Sequence, residues 1–342
     1  MKKNIVLTDW DKDDLSGFIS RLEEGSGLKF KQKTINAEWG RNGKIKSLLR
    51  YVVYFLAPVR FFITRRRYST IVGWQQFYAL IFCFYCSLFH VEKTCRVVAW
   101  NFTYKKKKGI LGALYKAFMK RCVCTGYLDY LHVPSYNTAD DIARDFGFPR
   151  DHIIVAPFGI NDEYEKWHRL PPPEGHEKDG YVLAIGRSNR DYDFLIRAWE
   201  GIEEPLVIIN DTLPKDPDNP YIEVRRDVDS TTQYPWISNC RAVVIPIDDP
   251  AICSGDTVLL MSMCLEKPII VTGPSTLQEM YITDRKNGLA VNKDPEDFRK
   301  AVKDVLNGND PDLGSNARAS FLSCFTREQM GITLGEYLKE NR

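Results

Sequence analysis

The 342-residue sequence predicts an α/β protein built from two doubly wound parallel sheets, and three observations carry that expectation. Short Val/Ile/Leu-rich runs alternate with stretches of helical periodicity, which is the order a parallel sheet with crossover helices requires. At about 150 residues per domain the chain is long enough for two cores. A proline-rich, charged stretch over 162–179, with Pro171, Pro172 and Pro173, divides the alternation and has linker composition. Hydrophobic residues at 44%, charged residues at 27%, and 22 Gly and 18 Pro spread along the chain exclude disordered, collagenous and low-complexity classes. Two Rossmann-like domains facing across a cleft are therefore expected: a first domain over 1–161, the linker, a second domain over 180–325, and a C-terminal helix over 326–342 packing back toward the first domain.

In order, the first alternation reads as strand Asn4–Thr8, helix Ser16–Glu24, strand Lys29–Thr34, an amphipathic segment Lys44–Arg67, strand Ser69–Gly73, helix Gln76–Phe89 and strand Arg96–Trp100. Helix Ile110–Arg121, strand Tyr130–Pro134, helix Ala139–Phe146 and strand Ile153–Pro157 complete it. Pro58 is expected to kink or split the Lys44–Arg67 helix. The second alternation runs strand Tyr181–Ile185, helix Tyr192–Trp199, strand Leu206–Asn210, strand Ile222–Val224 and a polar helix near Gln233–Ser238. Strand Ala242–Pro246, helix Thr257–Leu265, strand Pro268–Thr272, strand Leu289–Val291 and helix Pro295–Leu306 follow.

Charge is unevenly placed. From Arg41 to Leu128 there are 17 Lys and Arg against one acid, Glu92, which leaves 30 of the 47 basic and 44 of the 45 acidic residues for the rest of the chain. One part is built to meet something anionic. Lys44–Arg67 contains no acid and alternates apolar clusters with cations, as a segment lying in a lipid headgroup region would, at about 1 kcal/mol per cation; an ordinary core-facing helix with a solvated basic face is the plainer alternative. Ile71–Phe89 is 19 residues without a charge, near the length of about 20 that a span needs. Its Gly73, Gln75 and Gln76 favour a buried strand turning into a core helix. Nine Cys in apolar surroundings read as buried free thiols in a reducing compartment, Cys83 and Cys86 among them, so no metal site is expected. The first fourteen residues offer only a three-residue apolar run, Ile5–Leu7, too short for a signal h-region, and a cytoplasmic protein is expected.

The usual GxGxxG and GxxxxGK cradles are missing. In their place Cys253-Ser254-Gly255-Asp256-Thr257 leads straight into a helix, so that backbone N–H groups and the hydroxyls of Ser254 and Thr257 can hold a diphosphate at a helix N-terminus. Plain capping by Ser254 or Asp256 explains the same residues. Gly186-Arg187-Ser188-Asn189-Arg190 follows the strand ending at Ile185 and puts two arginines within reach of a pyrophosphate.

The ordered blocks VLAIGRSNRDYDFLIRAW, CRAVVIPI, CSGDTVLLMSMCLEKPIIVT and ITDRKNGLAVNKDPEDFRKAV resemble the donor domain of GT-B glycosyltransferases, the large, mostly retaining, metal-independent superfamily that uses nucleotide sugars, from Gly180 to Leu306. The resemblance implies that Arg187 and Arg190 contact the donor diphosphate, with Ser254, Gly255 and Thr257 at the phosphates, and that Asn287-Gly288-Leu289 is structural. That family pattern carries two glutamates eight residues apart. Aligning Lys267-Pro268 with its Lys-Pro puts Cys253 and Met261 there, leaving Asp256 as the nearest acid able to replace a sugar contact, or else a helix N-terminal charge. Donor sugar and stereochemical outcome stay open on this point.

What the resemblance implies for function is transfer of a sugar from a nucleotide diphosphate sugar, UDP ahead of GDP, with no other cofactor and no metal. The acceptor would be a glycan or a polyprenyl-diphosphate-linked carrier, at the inner face of the cell membrane in surface polysaccharide biosynthesis. Loops Asp9–Asp14, Gly73–Gln76 and Asn101–Lys108 would face the acceptor. Asp11 and Asp13, with Asp9, offer carboxylates as a general base if the reaction inverts. Lys105, Lys106, Lys107 and Lys108, with Arg65, Arg66 and Arg67, would meet the acceptor diphosphate or the anionic membrane. His132, in an apolar strand, reads as a core histidine. A non-catalytic glycosyltransferase-like subunit and, without any RRM, KH or helix-turn-helix signature, a nucleic-acid-binding protein are the other readings.

Overall fold

The computed structural model describes residues 2–10, 14–37, 44–177 and 180–340, and the chain divides into two compact units, 1–158 with 327–342, and 159–326. Asp11 and Asp13 lie outside the described residues.

In the first unit, strands β1 (Lys3–Thr8), β2 (Phe30–Thr34), β3 (Tyr68–Gly73), β4 (Arg96–Ala99), β5 (Tyr130–Val133) and β6 (Ile153–Val155) form one parallel sheet in the order β2-β1-β3-β4-β5-β6. The sequence reverses its direction of growth between β1 and β3. Ile5, Val6, Leu7, Ile71 and Val72 are fully buried on both sides of the sheet, which is why these strands read as continuous apolar runs rather than alternating ones. Helices α2 (Lys44–Ile63), α3 (Gln76–Leu88), α4 (Gly109–Val123) and α5 (Tyr136–Phe146) contribute to one core, with Tyr54, Phe61, Phe82, Met119 and Phe146. On the other side α1 (Ser16–Ser26) and the C-terminal α13 (Arg327–Glu340) bury Phe18, Leu22, Leu334 and Leu338 against Val6, Val98 and Trp100. Glycines make that last crossing close: a Cβ on Gly335 would stand 2.9 Å from the Gly25 Cα, and one on Gly331 only 2.3 Å from the Phe18 carbonyl oxygen.

Pro58 does not split α2, which runs as one helix from Lys44 to Ile63. Proline removes one helical donor, but Tyr54, Pro58 and Phe61 form the buried face, and the Tyr85 hydroxyl donates to the Phe55 carbonyl at 2.9 Å. Tertiary contacts therefore hold the turn that local chemistry weakens. The uncharged Ile71–Phe89 run is β3 followed by α3, and no helix among the described residues is long and apolar enough to cross a membrane.

In the second unit β7 (Val182–Ile185), β8 (Leu206–Ile209), β9 (Ile222–Arg225), β10 (Ala242–Ile245), β11 (Ile269–Gly273) and β12 (Leu289–Asn292) pair in the order β12-β11-β10-β7-β8-β9, again all parallel. Here the reversal falls between β7 and β10. Helices α7 (Tyr192–Ala198), α9 (Asp256–Cys264), α11 (Pro295–Leu306) and α12 (Leu313–Cys324) cover the sheet, with the short α6 (Tyr164–Trp167), α8 (Tyr234–Asn239) and α10 (Thr276–Tyr281). The 162–179 stretch belongs to this unit rather than forming a free linker. Asp162 makes a two-pronged ion pair with Arg318 at 2.7 Å, and the Trp167 ring stacks on Tyr234 with centroids 3.8 Å apart.

Candidate functional site

Open parallel sheets place ligands beyond the carboxyl ends of the strands where the strand order reverses. In the second unit that point is the pair of loops after β7 and β10. The first loop, Gly186–Asp191, is stitched to the second by its own backbone: Asp191 N–H donates to the Pro246 carbonyl at 2.9 Å. Asn189, held at φ 56°, donates from its side chain to the Asp249 carbonyl at 2.9 Å and accepts from the Asp249 N–H at 2.7 Å. Asparagine tolerates this left-handed geometry better than most residues.

The loops converge on Arg190. Its guanidinium lies between Gly186 and Gly255, where added Cβ atoms would fall 3.0 Å and 2.5 Å from Nη2. Both glycines have positive φ, 136° and 106°, so the backbone and the close approach alike require them. Nη1 donates to the Ser188 carbonyl at 3.0 Å and reaches the Ser254 carbonyl at 3.5 Å, while Nε is buried with no partner among the described residues. Burial lowers the pKa of this guanidinium below its ordinary value. The Gly186 carbonyl is fixed from outside by the Tyr192 hydroxyl at 2.7 Å and the Asn210 side-chain amide at 2.8 Å.

Gly255 is the N-cap residue of α9 and, having no side chain, makes no cap hydrogen bond of its own. The Asp256 carboxylate accepts the Thr257 N–H at 2.8 Å, and burial raises its pKa against the pull of that hydrogen bond and of Arg190. Ser254 Oγ contacts the Ser188 carbonyl at 3.4 Å, and Thr257 is exposed. Arg187 points elsewhere. It pairs with Asp211, at the end of β8, at 2.6 Å and is largely exposed. Arg190 and the Ser254–Thr257 turn are thus brought together, and Arg187 is held by an acid that the sequence reading did not single out. Burial pushes the Cys253 thiol up to about 12, so it is no nucleophile near neutral pH, and Met261 is buried against the Gln233 amide.

In the first unit, the loops after β1, β3 and β4 surround a polar cavity of about 280 Å³ at the matching reversal point between β1 and β3. Asp9, buried, accepts from the Tyr54 hydroxyl of α2 at 2.7 Å and from the Gln75 amide at 3.4 Å. Gln76 bridges the loops through Thr103, accepting its N–H at 3.0 Å and donating to its carbonyl at 3.1 Å. Asn101 (φ 53°) points an Oδ1 without a partner among the described residues, and Arg50 brings a guanidinium whose Nε has none. Behind it His132 stacks on Trp100 at 4.0 Å, accepts the Asn101 N–H at Nδ1 and sits at 3.1 Å from the Ala156 carbonyl through Nε2; burial depresses its pKa to about 4. It is a core histidine.

The Lys105–Lys108 run is not one block of unengaged cations. Lys106 bridges Asp141 and Asp145 of α5 at 3.1 and 3.4 Å, and the Lys107 ammonium sits 4.5 Å from the Tyr115 ring. Lys105 and Lys108 are exposed. Arg65, Arg66 and Arg67 form a single 3-10 turn after α2, with the Arg65 guanidinium over the Phe62 ring and Arg66 and Arg67 exposed.

No family model matches the chain, and no curated protein matches it. Solved structures do. A glycosyltransferase from Rickettsia africae is similar over 99% of both chains at 12% identity with a TM-score of 0.64. Anabaena HepE, solved with UDP and separately with UDP-glucose, is similar in its UDP complex over 99% of both chains at 12% identity with a TM-score of 0.62. WaaG, a glycosyltransferase involved in lipopolysaccharide biosynthesis, is similar over 98% of this chain and 99% of its own at 13% identity with a TM-score of 0.57. The two six-stranded parallel sheets with their flanking helices are the two Rossmann-like domains of the GT-B fold.

Proposed function

We propose that this chain is a glycosyltransferase that moves a hexose from a nucleoside diphosphate sugar, UDP ahead of GDP, to a glycan or polyprenyl-diphosphate-linked acceptor on the inner face of the cell membrane, in surface polysaccharide biosynthesis. The observation that carries this reading is the Arg190 guanidinium lodged between Gly186 and Gly255 at the N-terminus of α9, whose N-cap is a glycine. As the sugar departs, negative charge grows on the leaving diphosphate. A cation and free N–H groups fixed before that moment stabilise it without reorganising. Arg187 adds a second cation when it exchanges Asp211 for a phosphate oxygen, and the Ser254 and Thr257 hydroxyls complete the cradle. The charge is met by protein groups, with no metal and no further cofactor in the scheme. HepE, solved with UDP and UDP-glucose, supports a uridine nucleotide.

Asp256, the nearest acid to the positions of the two missing glutamates, would meet the donor sugar through its carboxyl group. The acceptor hydroxyl would enter the cavity of Asp9, Tyr54, Gln75 and Asn101, with Arg50 for an anionic group on the acceptor. Asp11 and Asp13 are the bases if configuration inverts. Calorimetric titration of UDP and GDP, followed by a transfer assay with UDP-glucose and isoprenoid-diphosphate acceptors, tests the proposal. Binding of UDP that is lost in Arg190→Ala supports it, and absence of any nucleotide binding refutes it. UDP binding without transfer or donor hydrolysis would favour a non-catalytic subunit, the reading that Cys253 and Met261 invite.

A further inference from the structure

We propose that α2 and the first turns of α4 form an insertion surface that seats the first unit in an anionic bilayer. This rests on the membrane-face reading above, and it replaces attraction alone by burial of apolar side chains.

The outer side of α2 is apolar from end to end. Ile45 is 78% exposed, Leu48 67%, Leu56 64% and Ile63 69%, at the spacing that puts them on one side of a helix whose opposite side buries Tyr54 and Phe61. The start of α4 is similar, with Ile110 82% and Leu111 78% exposed. The two helices join through Phe55 and Phe118, whose ring centroids are 5.6 Å apart, and both pack on α3. Soluble monomers rarely leave a large contiguous apolar patch uncovered, and those that do use it to bind a partner or a membrane.

Charge decides what covers it. The whole 41–128 stretch has a single acid, Glu92, so a second copy of the same face would set cation against cation. An anionic bilayer supplies both the apolar interior and the phosphates for the exposed Lys46, Arg60, Arg66 and Arg67 around the stripe. Electrostatics alone is weaker than the sequence count implies, because Lys106 is held by Asp141 and Asp145. No described helix can span, so α2 lies in the plane of the interface. Its inner side contributes Arg50, Tyr51 and Tyr54 to the polar cavity. A lipid-linked substrate can then present its head there while its chain stays in the membrane.

Vesicle co-sedimentation of the full chain tests this, using phosphatidylcholine with and without phosphatidylglycerol. Wild type should pellet with the phosphatidylglycerol vesicles and keep a fraction bound at about 0.5 M salt, where surface attraction is screened. Changing Leu48, Leu56, Ile110 and Leu111 together to Glu, all at exposed positions, should lower partitioning by at least about tenfold while far-UV dichroism and UDP affinity stay at wild-type values. Arg66→Gln with Arg67→Gln should remove only salt-sensitive binding. The proposal is overturned if the four-Glu variant pellets like wild type, if wild type stays in the supernatant with both vesicles, or if wild type is a dimer that the four changes convert to monomer. Loss of UDP binding by wild type would sink the transferase reading and leave this outcome unaffected.

Discussion

Arg187 and Arg190 stand three positions apart on one loop and live in opposite environments. Arg190 is enclosed between two glycines and Arg187 is exposed beside Asp211. Nucleotide affinity should therefore fall by about 1.5 to 3 kcal/mol in Arg190→Ala, the size of a lost charged hydrogen bond, and calorimetry with UDP measures it. Arg187→Ala should cost less, because its pairing with Asp211 must first be given up. The sequence already placed both arginines at the end of a strand, but which one turns inward depends on the φ of Gly186 and on Asp211, 24 positions further on. The rule that site residues follow parallel strands would have found Asp211 and Asn210, both directly after β8. His132 offers a test by pH. Its folded ring stays neutral down to about 4 whereas an unfolded histidine takes a proton near 6.5, so the stability it contributes is present above 6.5 and drains away as the pH falls toward 4. The loss approaches about 3 kcal/mol. Nuclear magnetic resonance of the ring carbon should show a single titration near 4; a midpoint near 6.5 would contradict the buried, stacked placement.

Among the elements, the α1–α13 crossing is the most sensitive to size. Gly331→Val would drive a Cβ into the Phe18 carbonyl, and overpacking of this kind costs about 1 to 3 kcal/mol. A urea midpoint shifted by that amount, with UDP affinity of the second unit unchanged, is the expected result. Strands were the most legible elements, since Ile5–Leu7, Ile71–Val72 and Ile208–Ile209 are apolar on both faces and are bounded by polar turns. Three helices escaped, the single turn Tyr164–Trp167 inside the expected linker among them. Thr276–Tyr281 has six residues, too few to show a period, and the α12 segment mixes Gly314, Ala317 and Ser320 with only a weak apolar stripe. α2 was legible as an amphipathic segment but not as one continuous helix, because only tertiary contact carries it past Pro58. The loops after β1, β3 and β4 that line the polar cavity were legible as those following strands, but the wall that α2 adds with Arg50, Tyr51 and Tyr54 was not. Asp9, Tyr54 and Gln75 come from three segments, and the hydroxyl that Asp9 accepts lies 45 positions away.

At the scale of the molecule, the second unit is inserted into the first, with the chain leaving after Phe158 and returning at Arg327. A chain ended at residue 326 should lose the cooperative transition of the first unit, because Phe18, Leu22 and Trp100 would lose the cover of Met330, Leu334 and Leu338. Its second unit should still bind UDP, and thermal melts followed with and without nucleotide check both halves of that statement. Composition and alternation showed two sheets and a C-terminal helix over 326–342 directed back to the first, whereas the outgoing crossing was read as a linker over 162–179, a stretch that carries Asp162 and Trp167 into packed contacts. The returning helix also sets an order of events during synthesis. The inserted unit can be finished while the segment ahead of it waits with that side of its sheet covered by α1 alone, and only the codons for Arg327–Glu340 complete the cover. A nascent chain stalled before Arg327 should therefore be protease-resistant over 159–326 and labile over 1–158.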